Sequence, residues 1–214
     1  MQGIFAGRTQ LRYPYGRYGY TRGGGKIWHG GMDLVGSDST DIHMPYYKNK
    51  RITGKVVRAR RVTDHSNKTW EWGWYVCVQL DHGQTPDDVN YLYFCHCREL
   101  KVTAGQAVAS GDLLAVMGQS GNAAGGYDHC HFEARATAAG KGLDPSQYAG
   151  CPNAVGVYGE APGQADYEEN ADAAKKLQRI SIGPVSRGDA DAVYAVCVSR
   201  GLVAAGLYKS EWSV

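Results

Sequence analysis

A mainly β chain is predicted, an antiparallel sheet domain followed by a small α/β module, and three observations predict it. Glycine and tyrosine are abundant, at 29 and 15 of 214 residues, while phenylalanine is scarce at 3. Glycine at that density suits turns and bulges, and tyrosine suits strands. Through residue 155, short runs of β-branched and aromatic residues alternate with Gly-containing turns, and amphipathic helix is almost absent. Composition then shifts, because Gly156 to Asn170 is rich in Gly, Pro, Ala and acidic residues and reads as a linker. The expected organisation is a domain over 1–155, a linker over 156–170 and a module over 171–214.

Taken in order, Met1 to Arg22 is rich in Tyr, Gly and Arg, with Pro14-Tyr-Gly16 as a turn. Strands are expected at Thr53 to Val62, Trp74 to Leu80 and Asn90 to Cys95, each in partial alternation. Asp81-His-Gly83 is a turn that Gln84 to Val89 lengthens into a loop. Further strands are expected at Val102 to Val108, Leu113 to Gly118 and His129 to Ala134. A Gly111-Asp112 turn and a Gly-rich loop, Gln119 to Gly126, separate them. Past the linker, Leu177 to Ile182 reads as a strand. Ser186 can cap a helix over Ala190 to Arg200 that Gly201 ends, and Val203 to Val214 can close a βαβ unit. A unit that small is marginal alone.

Charge and cysteine content exclude several classes. A formal charge of +2 is too small to argue for a nucleic-acid partner. The basic stretch Lys48 to Arg61 reads as a solvated edge strand and loop. No apolar run approaches the ~20 residues that span a bilayer. Met1 to Gly25 lacks the basic segment, apolar core and cleavage site of a signal peptide, so synthesis in the cytosol is expected. Six cysteines are too sparse for a disulfide scaffold and read as reduced, buried thiols.

Two short strings carry the chemistry, His29-Gly-Gly-Met-Asp33 and His129-Cys-His131. Zinc takes imidazole nitrogen and carboxylate oxygen in tetrahedral geometry, and catalytic sites use three protein ligands with the fourth position open. His29, Asp33 and one histidine of the pair give that count. Gly30 and Gly31 make a helix costly, at ~1 kcal/mol each, so the first string is a loop or bulged strand whose glycines let backbone approach the metal. His129 and His131 share one face of a strand, so one can bind metal while the other lines the groove. His96 ends a hydrophobic strand. Simple alternation turns Cys130 away from the paired histidines, and Cys95 and Cys97 away from His96, which disfavours a thiolate site.

This order, His29-x3-Asp33, then His96, then His129-x-His131 with Phe132-Glu133 behind it, resembles the lysostaphin-type zinc endopeptidases of the M23 peptidase family. The likeness runs from about Pro14 to Tyr148. It includes Gly54-Lys-Val56, Trp72-Gly-Trp-Tyr-Val76, Leu80-Asp-His-Gly83, Val102-Thr-Ala-Gly105, Gly118-Gln-Ser-Gly121 and Leu143-Asp-Pro145. The resemblance implies a zinc site of His29, Asp33 and His131, with His96 and His129 serving catalysis, and peptide cross-links or bridges of bacterial peptidoglycan as substrate. It assigns Glu133 no catalytic role, which leaves that carboxylate as a support. The family usually carries Tyr where Phe94 stands, so a hydroxyl available to the transition state is missing. Asp38 to Arg51 and Gln84 to Asn90 are longer than usual.

A phage or prophage endolysin, made in the cytosol and released to the wall at lysis, fits these expectations. Ile180-Ser-Ile-Gly-Pro-Val185 with Asp189-Ala-Asp191 resembles half of a SPOR-type peptidoglycan-binding domain. The rival is a non-catalytic wall-binding or hydrolase-activating protein on the same scaffold, and it would be expected to lack the zinc ligands. Oligomeric state is not legible.

Overall fold

The computed structural model describes residues 3–85 and 89–161, together with Val193, Tyr194 and Cys197. In chain order the strands are β1 (Thr9–Leu11), β2 (Gly19–Arg22), β3 (Ile27–His29), β4 (Met32–Gly36), β5 (Asp41–His43), β6 (Thr53–Arg61) and β7 (Trp74–Leu80). They continue with β8 (Tyr91–Cys97), β9 (Glu99–Leu100), β10 (Ala107–Ala109), β11 (Leu113–Val116), β12 (Cys130–Arg135), β13 (Gly142–Leu143) and β14 (Gly156–Tyr158). One short α-helix, α1 (Ser146–Ala149), lies between the last two strands. The described fold is thus mostly antiparallel β, as expected.

The main sheet runs β10-β6-β7-β8-β12-β4-β1-β14, with β13 also on β12. A three-stranded sheet, β5-β11-β9, and the β2-β3 hairpin complete it. Strands β7 and β8 are built of Trp, Tyr, Val, Leu and Phe, residues that fit a pleated, half-buried surface. One face of the main sheet forms the principal core, where Leu34, Val76, Leu92, Phe94, Cys130 and Phe132 are all fully buried. Each fully buried side chain of this kind contributes roughly 1.5–3 kcal/mol. The other face carries a smaller cluster of Val62, Tyr75, Cys77, Tyr93 and Cys95. Register then fixes which polar residues join that second face. His131 sits opposite Asp33 on β4 and opposite Cys95 on β8, while its neighbours Cys130 and Phe132 point into the core.

In β8 alternation fails at His96. Between β7 and β8 the register shifts, so that Trp74 opposes Cys97 and Val76 opposes Phe94. β8 therefore holds one residue more than β7 over this span, a β-bulge. His96 absorbs it in a left-handed conformation, φ +63°. Phe94 and Cys97 both reach the core, Cys95 faces His131, and the His96 ring turns to the second face. The alternation argument was thus wrong for Cys95, which shares the histidines' side of the sheet.

Other differences are local. The strand expected over Val102 to Val108 is confined to Ala107–Ala109, because Gly105 turns the chain at φ +94°. Strands at Thr9–Leu11 and Gly19–Arg22 lie within a stretch read only as Tyr-, Gly- and Arg-rich. Gly156–Tyr158, read as the head of the linker, is a strand paired with β1. By contacts the chain divides into two compact units, Met1–Asp166 and Tyr167–Val214. Of the second, Val193, Tyr194 and Cys197 are described and are helical. The remainder of the expected βαβ module, the SPOR-like string included, lies outside the described residues. No helix among the described residues is long and apolar enough to cross a membrane.

Candidate metal centre

The hairpin and two adjacent sheet strands bring His29, Asp33 and His131 together in a buried triangle, each 3–8% exposed. His29 ends β3, Asp33 lies on β4 and His131 is the second residue of β12. His29 Nε2 is 2.9 Å from His131 Nδ1 and 3.2 Å from Asp33 Oδ1. His131 Nδ1 is 2.9 Å from the same oxygen. A tetrahedral zinc with arms of about 2.0–2.1 Å needs donor atoms about 3.3 Å apart, so the triangle has the size of a zinc site.

Hydrogen bonds outside the triangle choose which nitrogen of each ring faces in. His29 Nδ1 donates to the Arg17 carbonyl at 2.8 Å, and His131 Nε2 donates to Glu133 Oε1 at 2.8 Å. Both acceptors can only accept, so in each neutral ring the inward nitrogen carries the lone pair, the place that a proton or a metal ion takes. Two lone pairs and a carboxylate oxygen converging within hydrogen-bond distance call for a cation. Burial disfavours charge on His131, yet Asp33 and Glu133 on either side outweigh it and raise the ring to about 9. Burial likewise opposes ionisation of Asp33, but His131 and His29 hold it well below the usual carboxylate range.

Glu133 is the support that the sequence left to it. Its second oxygen accepts from Arg135, whose guanidinium lies 5.0 Å from the Trp72 ring and 4.8 Å from the Tyr93 ring. Carboxylate partners of this kind fix the tautomer and orientation of a ligating histidine. The glycines of the first string make room for this contact. A Cβ on Gly31 would lie 2.3 Å from the Phe132 carbonyl oxygen and 2.8 Å from Glu133 Cγ.

His96 and His129 stand beside the triangle, their ring centroids 4.8 Å apart, with His96 5.9 Å from His131. His129 Nε2 is 3.8 Å from Asp33 Oδ1. Each donates Nδ1–H to a backbone carbonyl, His96 to Ser120 at 2.8 Å and His129 to Tyr127 at 2.9 Å. Each therefore keeps an Nε2 lone pair free to accept a proton. Burial, then the neighbouring imidazoles, pushes His96 down to about 3, and burial also lowers His129. Gly118-Gln-Ser-Gly121 explains this arrangement. Gly118 accepts the His129 backbone N–H at 3.0 Å, and Ser120 Oγ ties the Trp74 N–H to the Cys97 carbonyl.

Several expectations need correction or completion. Phe94 is fully buried in the principal core, 5.2 Å from the Phe132 ring, so a hydroxyl at that position would not reach the site. Cys95 lies across from His131, and burial first, then the Glu133 charge, holds its thiol in the neutral form. Of the remaining histidines, His43 ends β5, His65 stacks on Trp70 at 4.5 Å and His82 lies in an exposed turn. Arg22 and Tyr127 were missed. Arg22 Nη2 reaches Asp33 Oδ2 at 2.8 Å, and the Tyr127 ring stacks on His129 at 4.7 Å. Their only sequence signal was the Tyr- and Arg-rich stretch for the first and proximity to His129 for the second.

The sequence profile of peptidase family M23 matches residues 29–145. No curated protein matches the chain. Among solved structures the chain is similar to the catalytic domain of the antimicrobial peptidase lysostaphin from Staphylococcus simulans. That likeness has 20% identity and a TM-score of 0.46, over 61% of this chain and 86% of that one. A putative peptidase M23 from Pseudomonas aeruginosa is 27% identical over 58% of this chain and 44% of that one, TM-score 0.41. The catalytic domain of the prophage-encoded M23 protein EnpA from Enterococcus faecalis is 20% identical over 63% and 88%, TM-score 0.44.

Proposed function

The chain belongs to peptidase family M23, whose profile covers more than half of it, and on that premise we propose a zinc-dependent endopeptidase that cuts peptide cross-links or bridges of bacterial peptidoglycan. The observation that carries this reading is the buried His29–Asp33–His131 triangle, flanked by two histidines with free Nε2 atoms. A non-catalytic wall-binding protein would have no use for that set.

His29 Nε2, Asp33 Oδ1 and His131 Nδ1 are the atoms that would hold zinc. Held by those atoms, zinc would supply Lewis acidity for a carbonyl oxygen and would lower the pKa of water toward neutrality. The protein supplies the proton path. His96 and His129, kept neutral by burial and oriented by the Ser120 and Tyr127 carbonyls, present Nε2 as acceptors. One takes a proton from the attacking water, and a protonated imidazole returns it to the leaving amine nitrogen. Glu133 and Arg135 keep His131 in the tautomer that offers Nδ1 to the ion.

A lysin of phage or prophage origin, and a wall-binding role for 171–214, stand on the sequence alone. Zinc content of the purified protein, with mass spectrometry of fragments from several purified peptidoglycans, tests the central reading. One zinc per chain and new amine termini within the peptide are expected. Zinc-free protein that sheds no fragments would overturn it.

A further inference from the structure

Arg22 ends β2, on the hairpin whose partner strand β3 carries His29, and it precedes the residues matched by the family profile. Its Nε donates to the Tyr15 carbonyl at 3.3 Å, which anchors one edge of the guanidinium. The other edge enters the site. Nη2 lies 2.8 Å from Asp33 Oδ2 and 2.9 Å from His29 Nε2. The Arg22 side chain is 40% exposed where Asp33 is 3% exposed, so Arg22 forms the solvent-facing rim.

The site has acceptors in place but few donors. His96 and His129 spend their Nδ1–H groups on carbonyls and meet the groove with lone pairs. Phe94 faces the core and brings no hydroxyl to the groove, and the Tyr127 hydroxyl is a neutral donor that is buried, unlike the half-exposed guanidinium. Peptide cleavage, however, builds negative charge on the carbonyl oxygen, and fixed donors aimed at that charge are among the strongest catalytic devices. Among the described residues, Arg22 is the cation whose N–H groups touch the triangle. Its Nη2 carries two hydrogens. One bonds Asp33 Oδ2, and the other faces the His29 Nε2 lone pair, which a metal would take, releasing that hydrogen for another acceptor.

We propose that Arg22 is a catalytic residue, whose Nη2–H binds the scissile carbonyl oxygen as it becomes an oxyanion. This rests on the peptidase reading above. When the water oxygen bonds to the carbonyl carbon, the C=O π pair moves onto oxygen and the guanidinium donates to it. One water proton passes to a histidine Nε2. On collapse the pair returns, the C–N bond breaks, and that proton goes to the amine nitrogen. Water and peptide give acid and amine, with no other reactant.

The test uses the full chain with Arg22→Gln and Arg22→Lys, read by zinc content, calorimetric binding of inorganic phosphate to the zinc-loaded protein, and turnover of a soluble muropeptide. Phosphate serves as a tetrahedral oxyanion probe. Both variants are expected to keep one zinc. Arg22→Gln should bind phosphate at least about 10-fold more weakly and lose about 10²–10³ in kcat, the usual worth of an oxyanion donor, with KM little changed. Arg22→Lys should recover part of both. Zinc lost from Arg22→Gln as fully as from Asp33→Ala would overturn the proposal and leave Arg22 a support for Asp33. Unchanged phosphate affinity and kcat would overturn it too. Because phosphate binding needs no wall substrate, Arg22-dependent binding in a protein that cuts no peptidoglycan would support the donor role while overturning the substrate reading.

Discussion

Removing one imidazole at a time separates the two jobs that the histidines share. His131 and Asp33 point their lone pairs into the triangle, so His131→Ala or Asp33→Ala should abolish zinc binding, measured by elemental analysis. His129 and His96 lie outside it, with Nδ1 held by carbonyls. Their Ala variants should keep zinc and lose turnover by roughly 10²-fold or more, the usual worth of a general acid or base. Equal zinc loss from His129→Ala and His131→Ala would make both ligands. Phe94 gives a second test at this scale. It is fully buried beside Phe132, on the face opposite the site. Phe94→Tyr should bury an unpaired hydroxyl and cost about 1–3 kcal/mol, seen as a lower denaturation midpoint, with no gain in kcat. A gain in kcat would mean that the hydroxyl reaches the groove after all.

At the level of elements, the bulge in β8 and the Gly118–Gly121 loop act as one device. The bulge turns His96 out of the core, and Ser120 then fixes the ring. Gly73 is the hinge between them. Its backbone sits at φ +61°, ψ −123°, and a Cβ there would lie 2.4 Å from Gly121 N and from the Ser120 carbonyl carbon. Gly73→Ala should therefore cost more than about 1–3 kcal/mol from backbone strain alone, and it should push Ser120 off His96. The expected result is a lower midpoint together with lost turnover in protein that still holds zinc. A variant with lower stability but wild-type kcat would uncouple the loop from His96. This device also marks the limit of sequence reading. Both strings were legible from residue type and spacing, while the choice of His131 over His129 as the partner of His29 and Asp33 came only from the family resemblance. The bulge was not legible, because no glycine announces it: His96 itself takes the left-handed position. Alternation then misplaced Cys95. Short strands such as Thr9–Leu11 and Asp41–His43 were missed because each owes its pairing to distant partners rather than to its own pattern.

The sheet domain as a whole reaches past residue 155, which changes how the wall-binding expectation has to be tested. β14 pairs residue by residue with β1, Thr9 opposite Tyr158 and Leu11 opposite Gly156, and β1 in turn pairs with β4, the strand that carries Asp33. A chain cut at 154 would strip β1 of its outer partner, two strands from a zinc ligand. A chain cut after Ala161 keeps that pairing. If 171–214 is a wall-binding module, it raises the local concentration of the catalytic domain on its polymer by making the second contact intramolecular. The chain ending at Ala161 should then bind zinc and cleave a soluble muropeptide like the full chain, yet pellet poorly with intact walls. The chain ending at 154 should unfold at a lower temperature than either. Full wall binding by the Ala161 chain would move the contact to the sheet domain, where Lys48 to Arg61 offers exposed basic residues. Loss of muropeptide cleavage by an Ala161 chain that stays folded and zinc-loaded would instead show that the C-terminal unit helps to form the groove, and the division into catalyst and anchor would fall.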